Sequence, residues 1–261
     1  MTTPLHCLVF DIETVPDVEL GRRLPGIADG DDAAVAEAMF AKRTGETGSA
    51  FLPYEQHRVV AISALLRSGD QFRVWSVGAA DSPEDELLRR FFSGIDKLKP
   101  TLVSWNGSGF DLPVLHYRML RHGIASPVYW DTGDIDRDFR WNNYLNRYHT
   151  RHVDLMDVLS AYQARGRASL EHAALLLGLP GKLGMAGDRV WEAWRDGRIG
   201  EIRDYCETDV LNTYLIYLRF ELVRGRLPAA AHDREVERVR GWLDERSEAH
   251  WRRFLAAWQA A

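Results

Sequence analysis

Cysteine is scarce in this chain, and so is everything that a membrane anchor or a secreted scaffold needs. Cys7 and Cys206 are the only two among 261 residues and lie far apart. That excludes a disulfide framework and a paired-cysteine metal site, and a reducing cytoplasm fits best. No apolar stretch is long enough to span a bilayer, and no charged start leads into an apolar run, so no membrane is expected as a partner. Positive charge is not in excess either: the formal net charge is −5. Without a global basic field, any contact with phosphates has to come from a local patch or from metal ions. There is no repeat, no low-complexity tract and no His/Cys cluster of the kind that holds zinc.

What is present is ordinary globular material, 46% hydrophobic and 27% charged. The length allows one large domain or two small ones with an ample core. The expected organisation is a domain over residues 1–228 and a helical extension over 229–261 packed on it.

The chain is organised around Cys7-Leu8-Val9-Phe10-Asp11-Ile12-Glu13-Thr14. Cys7 to Phe10 read as a buried strand. Side chains alternate along a strand, so Asp11 and Glu13 project from one face. Two like charges crowded at the end of a buried strand repel, and burial adds a desolvation penalty. A bound cation removes both costs. The same pattern also suits two acids on a solvated loop, so the reading depends on what lies downstream.

Val15 to Gln56 does not look like sheet; Asp31 to Arg43 reads as helix and Gly45 to Ser49 as a mobile loop. Arg58–Leu66 and Phe72–Val77 read as strands that extend the first into an antiparallel meander. Ser82-Pro83-Glu84-Asp85 starts a helix with Ser82 as its cap, and Leu87, Leu88, Phe91, Phe92, Ile95 and Leu98 give it a buried face. Thr101–Trp105 and Val153–Met156 complete the strands.

After Trp105 comes Asn106-Gly107-Ser108-Gly109-Phe110-Asp111, a turn into a helix over Pro113–His122 with Leu115, Met119 and Leu120 apolar. Asp111 is either a helix cap or a third carboxylate delivered to the site. Asp154 lies near the same pattern, with a cap or structural acid favoured. From Asp136 to His152, arginines and histidines alternate with aromatics, Arg140 and Trp141 among them. That suits single-stranded nucleic acid, and it equally suits a loop with its rings tucked inward. On the helix Ile199–Arg224, Ile202, Cys206, Val210, Thr213, Tyr217 and Phe220 form the buried stripe. Tyr205 and Asp209 share a face beside it. Arg234 to Trp258 form one or two further helices.

Asp-Ile-Glu-Thr on the first strand, Asn-Gly-x-x-Phe-Asp before a helix and Tyr-x-x-x-Asp on a late helix resemble the three exonuclease motifs of the DEDD superfamily. The tyrosine in the third motif is similar to the DEDDy branch. Within it, the chain resembles stand-alone bacterial predicted 3′–5′ exonucleases related to the family B polymerase proofreading domain; Arg151–Asp157 and Tyr205–Val210 carry that narrower likeness. The resemblance spans roughly residues 5–225. It implies a ribonuclease H-like α/β fold, a mixed sheet of about five strands flanked by helices. It implies two divalent ions, Mg²⁺ or Mn²⁺, held by Asp11, Glu13, Asp111 and Asp209, which suits hard oxygen ligands. By resemblance Asp11 would bridge both ions, Glu13 and Asp209 would hold the one carrying the attacking water, and Asp111 would help hold the other. Tyr205 would orient the water. Ile12, Thr14, Asn106 and Phe110, with Arg140 and Trp141, are the expected substrate contacts.

The implied substrate is the 3′ end of single-stranded DNA, cut to nucleoside 5′-monophosphates, with a DNA polymerase or repair protein as a conceivable partner. Two alternatives stay open: an exoribonuclease with the same site, and a non-catalytic nucleic-acid-binding module. Sequence cannot separate DNA from RNA as the substrate of such a site, because discrimination rests on the 2′-hydroxyl.

Overall fold

The first strand of the computed structural model, β1 (His6–Pro16), is apolar on both faces because both faces are covered. The structure describes residues 5–27 and 30–260; residues 1–4 and 261, the outer ends of the two expected segments, lie outside it. Cys7 and Val9 point into one core cluster, while Leu8, Phe10 and Ile12 point into another. β1 pairs antiparallel with β2 (His57–Ser68), which pairs antiparallel with β3 (Gln71–Ser76). On its other edge β1 runs parallel to β4 (Thr101–Ser104), and β4 to β5 (His152–Asp154). The order is β3-β2-β1-β4-β5, a mixed five-stranded sheet flanked by helices, as expected.

One short helix and three longer ones precede β5: α1 (Val18–Gly21), α2 (Asp32–Thr47), α3 (Glu84–Leu98) and α4 (Asp111–His122). Then come α5 (Leu155–Leu159), α6 (Leu170–Leu176), α7 (Val190–Arg195), α8 (Ile199–Val223), α9 (Ala229–Asp244) and α10 (Ala249–Ala260). Helices α3 and α4 supply Leu88, Phe92, Val114 and Leu115 to the cluster under Phe10. Helix α8 supplies Val210, Leu211 and Tyr214 to the cluster under Val9, where Val239 and Leu243 of α9 and Trp251, Phe254 and Trp258 of α10 join it. The two C-terminal helices therefore share a core with the sheet. Among the described residues no helix is long and apolar enough to cross a membrane.

Several expectations are corrected. Strand β1 continues through Val15 and Pro16, into the tract read as non-sheet. Gly45 to Thr47 are helical; α2 ends only at Gly48, whose φ of 77° is the left-handed conformation that glycine adopts freely, with its amide on the Thr44 carbonyl. Ser82 does not cap α3: its hydroxyl turns back to the Ala79 amide, and Pro83 takes the cap position. Leu98 is exposed rather than buried.

Helix α4 is tied to the end of β1 by a buried ion network. Arg118 reaches Asp17 at 2.5 Å and grips both oxygens of Glu84 at 2.7 and 2.6 Å, with all three side chains almost wholly buried. Glu84 also accepts from the Val59 amide at 2.7 Å. The network thus clamps β1, β2, α3 and α4 together behind the site.

Candidate active site

Asp11 and Glu13 continue the Cys7/Val9 face of β1, the face that α8 covers. Their position follows from sheet geometry. Strand β4 pairs with β1 only over Cys7–Val9, so beyond Val9 that edge of β1 stands open. A cleft at the carboxyl ends of parallel strands is where open α/β sheets present reactive groups. The β1–β2 register shifts between Glu13 and Thr14, a bulge at the point where the chain leaves the site.

Beyond β4 the chain reverses through Asn106, whose φ of 66° is left-handed. Asp154 holds this turn: its carboxylate accepts from the amides of Asn106 (2.9 Å) and Ser108 (2.8 Å) while capping α5 through Met156 and Asp157. It is the structural acid that the sequence favoured. Gly107 is required here, since a Cβ would lie 2.2 Å from the Ser104 hydroxyl. Asp111 emerges as the first residue of α4, and it is not the cap. Phe110 occupies that position, and Asp111 instead accepts from the Ile12 amide at 3.1 Å, taking the place of the missing strand partner. The amide of Ile12 is thereby used, and its side chain is buried in the α3/α4 cluster.

From the other side α8 brings Tyr205 and Asp209, both buried. Ligand atoms of Asp11, Glu13 and Cys206 lie within 4.8 Å of one another. Asp111 and Asp209 flank this group closely enough to act on its charge. Burial pushes the Asp11 carboxyl well above its usual range, and Asp111 and Asp209 push it further. Burial does the same to Glu13, with Asp11, Asp209 and Asp111 adding to it. Asp111 is raised by burial to about 7 and Asp209 to about 6. The four acids sought in the sequence therefore lie close enough for Asp11 and Glu13 to feel the charge of Asp111 and Asp209.

Three participants escaped the sequence reading. Lys182, in the loop before α7, donates to the Tyr205 hydroxyl at 2.7 Å and eases the charge on Asp11, Glu13 and Asp209. No periodicity ties a loop lysine to a helix 23 residues later. Cys206 belongs to the buried stripe as expected, but its thiol also reaches the Asp11 carbonyl at 3.4 Å and carboxylate at 3.5 Å. Burial and the adjacent acids push that thiol well above its normal value, so it stays protonated and donates. The third is an aromatic wall: Phe110 packs on His57 (5.1 Å between centroids) and Phe51 (5.5 Å), and Thr14 bonds the His57 ring at 2.9 Å. Phe51 is the exposed edge of this wall.

The 136–152 tract divides. Phe139 and Tyr144 are buried in the core, Arg151 stacks over Phe139 at 4.1 Å, and His152 is buried against Ser104. Arg140 and Trp141 are exposed, and their side chains make no hydrogen bond or ion pair among the described residues. Asn106 serves the turn, its carbonyl accepting from Gly109 and Phe110.

A polar chain runs from behind the site to the C-terminal helices. The Ser63 and Ser76 hydroxyls meet at 2.9 Å, Ser76 donates to Glu207 at 2.7 Å, and Glu207 meets His250 of α10 at 3.2 Å. His250 also contacts Asp204 at 3.1 Å. Burial alone would lower the imidazole, but these two carboxylates raise it to about 9. A raised histidine stabilises the fold fully below its unfolded value of about 6.5 and loses that contribution as pH rises through the folded one. We expect stability to fall by about 1–3 kcal/mol between pH 6.5 and 9.5, after allowing for the exposure of Asp204. Arg198 and Arg253 line the groove beside His250. Denaturant titrations should show the slope in the unaltered chain and its loss in His250→Gln; an equal slope in both excludes it.

A mixed five-stranded sheet with buried acids at the open edge of its first strand is the architecture of the ribonuclease H-like exonucleases. The chain belongs to the family of predicted 3′–5′ exonucleases related to the exonuclease domain of PolB, whose family model matches residues 49–258. The match takes in Asp111, Tyr205, Asp209 and both C-terminal helices and begins after Asp11 and Glu13. No curated protein matches the chain.

Proposed function

We propose that the chain is a two-metal 3′–5′ exonuclease that shortens single-stranded DNA from its 3′ end and releases nucleoside 5′-monophosphates. One observation carries this reading: buried Glu13, Asp111 and Asp209 meet half-buried Asp11 closely enough to raise its carboxyl or be raised with it, and Lys182 is the cation that eases three of the four. Such a cluster opposes phosphate unless cations fill it.

The residues fit divalent ions. One oxygen of Asp209 is buried without a hydrogen-bond partner, as a ligand oxygen awaiting a cation would be. With Cys206 protonated, the donors are hard oxygens, which suit Mg²⁺ or Mn²⁺. Asp11, Glu13, Asp111 and Asp209 would hold the ions. When bound, such ions offset charge at phosphorus and lower the pKa of a water.

The chain's own groups do the rest. Tyr205 is kept a phenol by burial and by the neighbouring acids, so it orients the attacking water and does not act as its base. Lys182 fixes that phenol by donating to its oxygen, and the phenol in turn faces the Asp209 carboxylate. The Asp111–Ile12 bond fixes the separation of β1 from α4. The wall of Phe110, His57 and Phe51 gives a terminal base a surface to stack on.

The test is a ladder assay on 5′-labelled DNA and RNA of matched sequence, with Mg²⁺, Mn²⁺ or EDTA. Bands should shrink from the 3′ end of DNA and stop with EDTA. Tyr205→Phe should lower kcat by about a hundredfold, the order expected for losing one oriented donor. Binding without any shortening of either polymer refutes the enzyme reading, and preferential shortening of RNA transfers it to an exoribonuclease.

A further inference from the structure

Beside the turn that delivers Asp111 lies a groove of about 260 Å³ that no part of the proposed chemistry uses. It begins at Ser108 and Gly109 and runs along the first turns of α4 toward the loop that carries Arg147. Its floor is neutral and flat: Pro113, the buried ring of Tyr144, and His116, which burial holds down at about 4 and which meets the Tyr129 hydroxyl at 2.8 Å. Its rim is cationic. Arg147 and Arg167 converge from separate loops on the two oxygens of Asp157, at 2.6 and 2.8 Å.

That arrangement exceeds what folding requires. Asp157 is 3% exposed, whereas the two arginines are 43% and 35% exposed. One guanidinium balances one carboxylate; the second leaves a net positive charge facing the groove. Asp157 is the only acid among the residues lining it. The site is also braced. Ala161 and Tyr162 both adopt left-handed backbone, with φ of 51° and 60°, rare for two such residues in succession. This places Tyr162 against Tyr148 at 4.9 Å and both rings beneath Arg147. The Tyr148 ring is largely exposed.

We propose that this groove binds the single strand on the 5′ side of the scissile phosphate, with a backbone phosphate on Arg147 and Arg167 and a base against Pro113 and His116. The inference rests on the exonuclease reading. If the terminal nucleotide occupies the acids, the rest of the strand must leave on its 5′ side, and this groove opens beside Asp111. A pair of exposed guanidiniums over neutral rings matches alternating phosphate and base. It also answers a problem the acids create: a strand repelled at the reaction centre needs positive charge within a nucleotide or two of it.

The test measures binding by anisotropy in EDTA, with oligothymidylate and oligouridylate of about ten nucleotides and with the dinucleotide of each. Arg147→Gln and Arg167→Gln are made singly, so that the other arginine still balances Asp157. Each should weaken binding of the longer strand about five- to tenfold and lower its salt slope by about one, and change dinucleotide binding less than twofold. In the unaltered chain, 4-thiouracil or 4-thiothymine placed third from the 3′ end should photo-cross-link within residues 112–116 or 144–148. Affinities within twofold and an unchanged salt slope in both variants overturn the proposal, as do cross-links confined to other segments. If the unaltered chain still shortens these strands, only the groove has failed. If it neither binds nor shortens them, the exonuclease reading fails and takes the groove with it.

Discussion

Asp11→Asn should abolish turnover and at the same time make the metal-free protein more stable. The activity loss should reach about a thousandfold or more, since bound ions supply several kcal/mol of transition-state stabilisation and each 1.4 kcal/mol is a factor of ten. The stability gain follows from the opposite balance without metal. Asp11 is half-buried, and its charge meets those of Asp111 and Asp209 with Cys206 and Lys182 in relief. A carboxyl raised above its unfolded value destabilises the fold as pH rises from about 4, the unfolded value, through the raised one, which for Asp111 is about 7. Near neutral pH the substitution removes part of that burden while preserving shape. Melting curves with EDTA should shift upward for the variant. With Mg²⁺ or Mn²⁺ the unaltered chain should gain by mass action and the variant should gain far less. A variant that keeps more than a tenth of the rate, or that melts lower in EDTA, contradicts this account of the cleft.

Arg118→Ala should act in the reverse sense, on the frame and only through it on the site. Its guanidinium is the buried counter-ion of both Asp17 and Glu84, at 2.5 and 2.6 Å. Against a burial that would raise it, the Leu20 amide and Arg118 hold the Asp17 carboxyl below its usual range. Truncating the cation leaves Asp17 with the Leu20 amide and Arg121 at 3.9 Å, and Glu84 with the Val59 amide and the His122 ring at 2.8 Å, so the loss should approach that of a broken buried pair, about 3–5 kcal/mol. Asp17 follows β1 by one residue, and α4 carries both Arg118 and Asp111. The clamp therefore sets the distance between the two halves of the acid cluster. Urea unfolding should show the loss, and the stabilisation by added Mg²⁺ should shrink with it. A change below 1 kcal/mol would mean that the acids keep their separation without the clamp. Arg118→Lys should recover only part, since an ammonium cannot grip Glu84 with two parallel bonds.

Local pattern was enough to read the strand of Cys7 to Phe10, the helix faces of α3 and α8 and the pairing of Asp11 with Glu13 on one side, because a period of two or 3.6 is written into a single stretch. The errors lie where tertiary partners override local chemistry. Ser82 looked like a cap and turned back to Ala79; Asp111 could have been a cap or a site carboxylate, and the Ile12 amide decided it. Leu98 looked like core and is exposed, because α3 buries Phe92 and Ile95 instead.

By itself, then, the sequence determined the kinds of group available: four acids and a tyrosine at the ends of a strand and on two helices, few cysteines, and no basic excess to bind nucleic acid from a distance. The tertiary structure decided what those groups are to one another. Strand β4 stops pairing with β1 after Val9, so the acids open into a cleft. A loop lysine arrives at Tyr205, a core thiol supports Asp11, and two distant arginines meet on Asp157. These depend on contacts between residues 10, 23 and 195 positions apart, and no local periodicity encodes such a meeting; only the closing of the sheet and its helices brings them within reach.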